Sequence, residues 1–211
     1  MGPLLRAGAL IPLLPCVALA LRPFLVVVDP GHGGRDPGAC WRGLREKDLT
    51  LRIARRLKGE LRRRGILCRL TRESDRYLSP RRRARLARRW GADCFISIHA
   101  NAAPPGCRRR GASVYVRRPN PLAWEVLRCL REVTRLELVH PRRAELAVLR
   151  DLRVPALLVE VGYIDNPAEA WRLYTARFQR RLAAAIRRAV ERCCPLEPLR
   201  VHRVRRGDTL W

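Results

Sequence analysis

Short apolar runs rich in β-branched residues alternate along the chain with longer stretches in which apolar residues return every three or four positions. FLVVV (24–28) is uniformly apolar and reads as a buried parallel strand. From 48 to 64, Leu49, Ile53, Leu57 and Leu61 fall on one face and Gly65 supplies a stop, which predicts an amphipathic helix. ILCRL predicts a second strand, and Ser79-Pro80 then provide the cap and first-turn proline of a helix ending at Trp90-Gly91. CFISI and SVYV (Ser113–Val116) predict a third and a fourth strand, 122–138 is helical by pattern, and ALLVEVG predicts a fifth strand. Asn166-Pro167-Ala168-Glu169 would cap one long final helix whose apolar face includes Leu173, Leu182, Ile186 and Val190. Strands alternating with helices predict an α/β layered domain with a mostly parallel sheet flanked by helices.

This layout gives a role to VVVDPGHGGRDPGA, where a buried run stops and sets a histidine among glycines. His32 follows the first strand, His99 the third, and Glu160 lies near the end of the fifth, so three reactive side chains come from the carboxyl ends of strands. Ligands bind at that edge of open α/β sheets. Glu46 opens the helix after the first strand and begins at the same edge. Two histidines and two glutamates suit zinc hydrolysis, in which three protein ligands leave a position for water. The metal lowers the pKa of that water toward ~7, and a nearby carboxylate serves as general base. Gly31, Gly33, Gly34 and Ala100 would let backbone and substrate approach closely. A fixed H-E-x-x-H spacing is absent, and each residue also has a plain structural reading. Glu46 would favour the helix dipole, and Glu160 could be a strand-end charge reaching water, although a carboxylate inside LLVEVG is costly to bury without a partner.

The chain has 211 residues, 47% of them hydrophobic, which suffices for one ordinary domain with short appendages. Its formal net charge is +26, almost all from arginine, since Lys47 and Lys58 are the only lysines. The arginines are spread over every predicted helix and aromatics are only 6%, a poor composition for stacking on bases, so a nucleic-acid partner is not expected. Residues 1–20 place Arg6 before an apolar stretch broken by Pro12 and Pro15 and closed by Ala18-Leu19-Ala20. That pattern predicts a cleaved export signal rather than a membrane span, and the two prolines argue against a core helix. Eight cysteines show no C-x-x-C pair; Cys68 and Cys94 fall in apolar runs and read as small buried hydrophobes.

Six blocks in order then carry a resemblance: VVVDPGHGGRDPGA, GLREKDLTLRIARRL, LTRESDRYLSPRRRARLA, ADCFISIHANAAP, GASVYV and VPALLVEVGYIDNPAEAWRL. From about Phe24 to Val190 the chain resembles the zinc-dependent N-acetylmuramoyl-L-alanine amidases of the amidase-3 group. The resemblance implies cleavage of the amide between the lactyl group of N-acetylmuramic acid and the L-alanine of the stem peptide, with peptidoglycan as substrate. It also implies zinc held by His32, Glu46 and His99, with Glu160 as the catalytic glutamate. Division-associated members often carry an insertion after the GASVYV strand that covers the zinc; here RRPNPLAWEVLRCLREV leads straight into a helix, so autoinhibition is not expected. VHRVRRGDTLW at 201–211 resembles the first strand and turn of a LysM module, too short to form its core. The expected organisation is a signal at 1–20, a catalytic domain at 21–194 and a linker with a truncated LysM-like start at 195–211. The expected protein is a monomer in the periplasm or extracellular envelope, with no stable membrane insertion. A catalytically inactive wall-binding protein of the same fold and a basic nucleic-acid-binding protein are the alternatives.

Overall fold

A computed structural model describes residues 23–104 and 109–193. In chain order the elements are β1 (Leu25–Pro30), β2 (Cys40–Trp41), β3 (Leu44–Arg45), α1 (Glu46–Arg62), β4 (Leu67–Leu70), α2 (Pro80–Arg89), β5 (Cys94–Asn101), β6 (Ser113–Val116), α3 (Pro121–Arg131), β7 (Arg142–Arg143), β8 (Ala156–Tyr163), α4 (Pro167–Tyr174) and α5 (Ala176–Cys193). Six strands form one sheet in the order β4-β1-β5-β8-β6-β7. β4, β1, β5 and β8 are mutually parallel, while β6 runs antiparallel to its neighbour β8 and β7 lies parallel to β6. The expected α/β layered domain with a mostly parallel sheet is thus the fold.

Alternation along the strands divides the core. Val26 and Val28 of β1, Ile96 and Ile98 of β5, and Leu157, Val159 and Val161 of β8 face one side, where they pack with α1, α3 and α5. Leu25, Val27, Phe95 and Leu158 face the other side, covered by α2 through Ala84 and Ala87 and by the segment holding Val148, Leu149 and Leu152. A strand buried on both faces must be apolar at every position, which is why β1 shows no alternation in sequence. Asp29, Ser97, His99 and Glu160 continue the second side toward the carboxyl ends of the strands, with Asp29 still met by Arg83 of α2.

Several boundaries depart from the sequence pattern. His99 lies within β5, which runs on to Asn101, rather than after it. The helix expected over 122–138 ends at Arg131, because Val133 and Leu136 are used in a turn that returns the chain to Ala112. The single final helix is two: Thr175 adopts an extended conformation at the end of α4 and its hydroxyl accepts from the Phe178 N–H near the start of α5. Asn166 caps α4 as expected, accepting from Ala168 and Glu169. Ser79 likewise caps α2. Cys68 and Cys94 are buried among apolar neighbours. No helix among the described residues is long and apolar enough to cross a membrane. The export signal at 1–20 and the LysM-like stretch at 195–211 lie outside the described residues.

Candidate metal centre

The end of β1 is fixed from beneath by a buried ionic network. Asp29 accepts from Ser97 Oγ at 2.8 Å, from Arg83 Nη1 at 2.9 Å and from the Thr71 hydroxyl. Arg83 also donates to the carbonyls of Pro30 at 2.6 Å and His32 at 2.7 Å, while Arg72 donates to Pro30 at 3.1 Å and Gly31 at 2.8 Å. Two guanidinium groups therefore hold the backbone of 30–32, and a buried charge with several partners is rigid because any departure leaves it unsatisfied. The network holds His32 at φ 59°, a left-handed conformation uncommon for a non-glycine residue.

Against this loop stand Glu46, the first residue of α1, and His99 of β5. His32 Nε2 lies 3.1 Å from Glu46 Oε2, and His99 Nδ1 lies 3.0 Å from Glu46 Oε1. The two imidazole rings meet edge to face with centroids 4.9 Å apart. One ligand atom from each of the three residues falls within 4.8 Å of the others, the one such group of three found among the described residues. Backbone N–H groups of Ala39 and Ala100 each donate to Glu46 at 2.9 Å, so its carboxylate is aimed from both sides. Side chains of His32 and His99 remain 24% and 19% exposed, which leaves the group open to solvent on one side.

Close packing around the group accounts for two glycines. A Cβ at Gly31 would stand 2.4 Å from His99 Cε1, because the imidazole lies over that backbone. A Cβ at Gly38, where φ is +66°, would stand 2.6 Å from Glu46 Oε2 and 2.7 Å from His32 Cδ2.

The electrostatics favour a cation. Burial alone would raise the Glu46 carboxyl, but hydrogen bonds from His32 and His99 hold it well below the usual carboxylate range. Burial alone would lower His32, yet hydrogen bonding and attraction to Glu46, then Asp36, bring it above the ordinary imidazole value. Asp36 Oδ2 lies 2.9 Å from His32 Nδ1, which fixes the ring and leaves Nε2 directed at Glu46. The sequence reading missed Asp36; its position four residues after His32 in the glycine loop was the available signal.

Two imidazoles and a carboxylate match the common donor set of a catalytic zinc site with one position left for water. Ligand atoms ~2 Å from a tetrahedral ion lie roughly 3.3 Å apart, close to the spacings of Glu46 from the two histidines. The residues fit zinc.

Glu160 stands outside this group. It pairs in register with His99 across β5 and β8, and its Oε2 is buried with no hydrogen-bond partner among the described residues. Burial pushes its carboxyl up to about 7, with His99 and Glu46 acting in opposite senses on the remainder. All four residues expected to share the crevice do so, three as a cluster and Glu160 beside it.

An open α/β sheet with a His/His/Glu cluster at its carboxyl edge and an unpartnered carboxylate next to it has the layout of a metal-dependent hydrolase. Residues 26–192 match the Amidase_3 family, described as N-acetylmuramoyl-L-alanine amidase, and the chain belongs to that family. It is 33% identical to the probable N-acetylmuramoyl-L-alanine amidase AmiB of Haemophilus influenzae over 78% of this chain and 50% of that protein. It is 38% identical to the sporulation-specific N-acetylmuramoyl-L-alanine amidase of Bacillus subtilis over 75% of this chain and 63% of that one. The chain thus spans about half to two thirds of the length of these relatives. Among solved structures, the N-acetylmuramoyl-L-alanine amidase AmiC2 of Nostoc punctiforme superposes with a TM-score of 0.76 at 35% identity, over 80% of this chain and 96% of that one. The N-acetylmuramoyl-L-alanine amidase of Clostridium difficile 630 gives 0.76 at 31% identity, over 81% and 96%.

Proposed function

We propose that the protein is a zinc-dependent hydrolase that cleaves the amide between N-acetylmuramic acid and L-alanine in bacterial peptidoglycan, with His32, Glu46 and His99 holding the ion and Glu160 as the acid-base residue. The observation that carries this reading is the placement of Glu160, whose Oε2 is buried without a hydrogen-bond partner beside the cluster, on the register of His99. When bound, the ion supplies Lewis acidity toward the scissile carbonyl and lowers the pKa of the attacking water. Glu160 takes a proton from that water and later delivers it to the amine of L-alanine. Burial lifts the Glu160 carboxyl to about 7 in the metal-free protein, and a cation held by the cluster would draw it toward the ionised form that accepts a proton. Asp36 holds the His32 ring, and Arg83 and Arg72 hold the backbone beneath it, so Nε2 keeps its aim through the reaction.

The catalytic unit in this reading is the span 21–194; the family match over 26–192 is what supports it. Between β6 and β8 the chain forms α3, packed with α5 on the face opposite the cluster, and then a segment whose Leu146 and Val148 line the groove beside His32 and His99. The two histidines stay 24% and 19% exposed beside that segment, which supports activity without a separate activator. An exported, envelope location rests on the N-terminal pattern together with the peptidoglycan substrate of the family's reaction. Glu160→Gln tests the central role: it preserves shape and removes the proton acceptor, so zinc content should match the wild type while turnover falls by roughly two to four orders of magnitude. Loss of zinc in this variant, with retention in Glu46→Gln, would exchange the two roles.

A further inference from the structure

Beyond Glu160, three more buried oxygens lack a hydrogen-bond partner among the described residues: Ser113 Oγ, Glu137 Oε2 and Asp165 Oδ1. Buried polar atoms are nearly always satisfied, and an unsatisfied one costs stability unless water or a ligand completes it. Three of the four, counting Glu160, lie along one edge. Glu160 pairs in register with His99 on one side and with Ser113 on the other. Next to Ser113, Ala112 bridges Leu136, and the Glu137 N–H donates to the Ala112 carbonyl at 2.8 Å. The order across the sheet end is therefore His99, Glu160, Ser113, Glu137.

Glu137 is anchored at one end only. Arg109 Nη1 stands 3.6 Å from Oε1. Oε2 is left over, buried in the row that runs from Glu160 through Ser113. A groove of about 180 Å³ beside His32 and His99 is walled by Leu78, Pro80, Leu146, Val148 and Leu158, with Asp36 and Arg83 also at its wall. The acceptors Ser113 and Glu137 belong instead to the row beyond Glu160.

We propose that Glu137 is a positioning residue whose free carboxylate oxygen accepts an N–H donor of the stem peptide, on the amine side of the scissile bond. The inference rests on the amidase reading above. In that reading the metal cluster takes the acyl side and Glu160 delivers its proton to the amine nitrogen. The next groups along the row then meet the peptide that carries this nitrogen. A peptide presents a regular supply of N–H donors, and a carboxylate with one oxygen already facing Arg109 accepts such a donor with little further ordering.

The test uses the zinc-loaded full chain with two ligands: a soluble muramyl peptide for kinetics, and the free stem peptide beginning with L-alanine for equilibrium binding without turnover. Glu137→Ala should raise KM and the stem-peptide Kd roughly ten- to a hundredfold, the worth of one charged hydrogen bond. kcat should change by less than about threefold, as for binding common to ground and transition states, and zinc content should equal that of the wild type. Glu137→Gln, which keeps an oxygen in place, should show a smaller loss and decides the matter if the alanine variant does not fold. A purely structural role would lower the melting temperature and leave stem-peptide affinity unmoved; that result in either folded variant overturns the proposal. Wild-type protein that binds the stem peptide through Glu137 but leaves the muramyl amide intact would overturn the amidase reading and keep this assignment.

Discussion

Glu160→Gln should make the metal-free protein more stable above neutral pH, although it destroys the acid-base group. In the fold, burial lifts the Glu160 carboxyl from its ordinary 4.5 to about 7, so the folded state prefers the protonated form. A group raised in this way contributes stability that is complete below pH 4.5 and is lost as pH rises through about 7. At ~1.4 kcal/mol per tenfold the difference amounts to about 3 kcal/mol. Gln cannot ionise and should escape that loss. For a chain of this size 1 kcal/mol moves the melting temperature by roughly 2–4 °C, so the variant should melt roughly 6–12 °C above the wild type at about pH 8.5 and near it at about pH 5. The assay is thermal unfolding of both proteins after chelation across that range. Other titrating groups are common to both, so the difference isolates Glu160. Parallel pH profiles, or a wild type that is the more stable at high pH, would refute the claim that an unpartnered carboxylate is held at this edge.

Three further outcomes follow from the geometry of the cluster. Gly38→Ala places a Cβ against Glu46 and His32 at a positive φ; it should cost roughly 1–2 kcal/mol in stability and weaken zinc in a chelator competition, and unaltered zinc affinity would contradict the packing described. Because Glu46 raises the pKa of His32, and a ligand must shed its proton before it binds a metal, zinc affinity should fall as pH drops from about 8 to 6; a flat competition curve would remove His32 from the site. Arg83→Met breaks the buried pair with Asp29 and frees the His32 carbonyl, so unfolding free energy should drop by about 3–5 kcal/mol, and a loss below about 1 kcal/mol by denaturant titration would show that the loop is held by other means.

The parts of the site that lie on regular elements were legible in the sequence. His99 and Glu160 belong to apolar strands whose carboxyl ends converge on one edge, and Glu46 opens the helix that must begin there. The supports were not. Asp36 had a local signal in its spacing from His32, but Arg72 and Arg83 act through contacts set by the tertiary fold, and in a chain with so many arginines nothing local separates a buried guanidinium from a solvated one. Glu137 was hidden in the same way: 122–138 reads as helix by spacing, but the chain leaves the helix after Arg131 and turns Glu137 toward the site. The break at Thr175 did leave a trace: Leu173 and Leu182 are nine residues apart, half a turn out of phase on a continuous helix, so they cannot share one buried face.

The most direct test of the account is digestion of purified peptidoglycan, with mass analysis of the products, by the protein as prepared, after chelation, and after zinc is restored. The account predicts release of intact stem peptides with a free L-alanine amine, lost on chelation and regained with zinc. Products cut within the glycan or within the peptide, or release that chelation leaves unchanged, would contradict it.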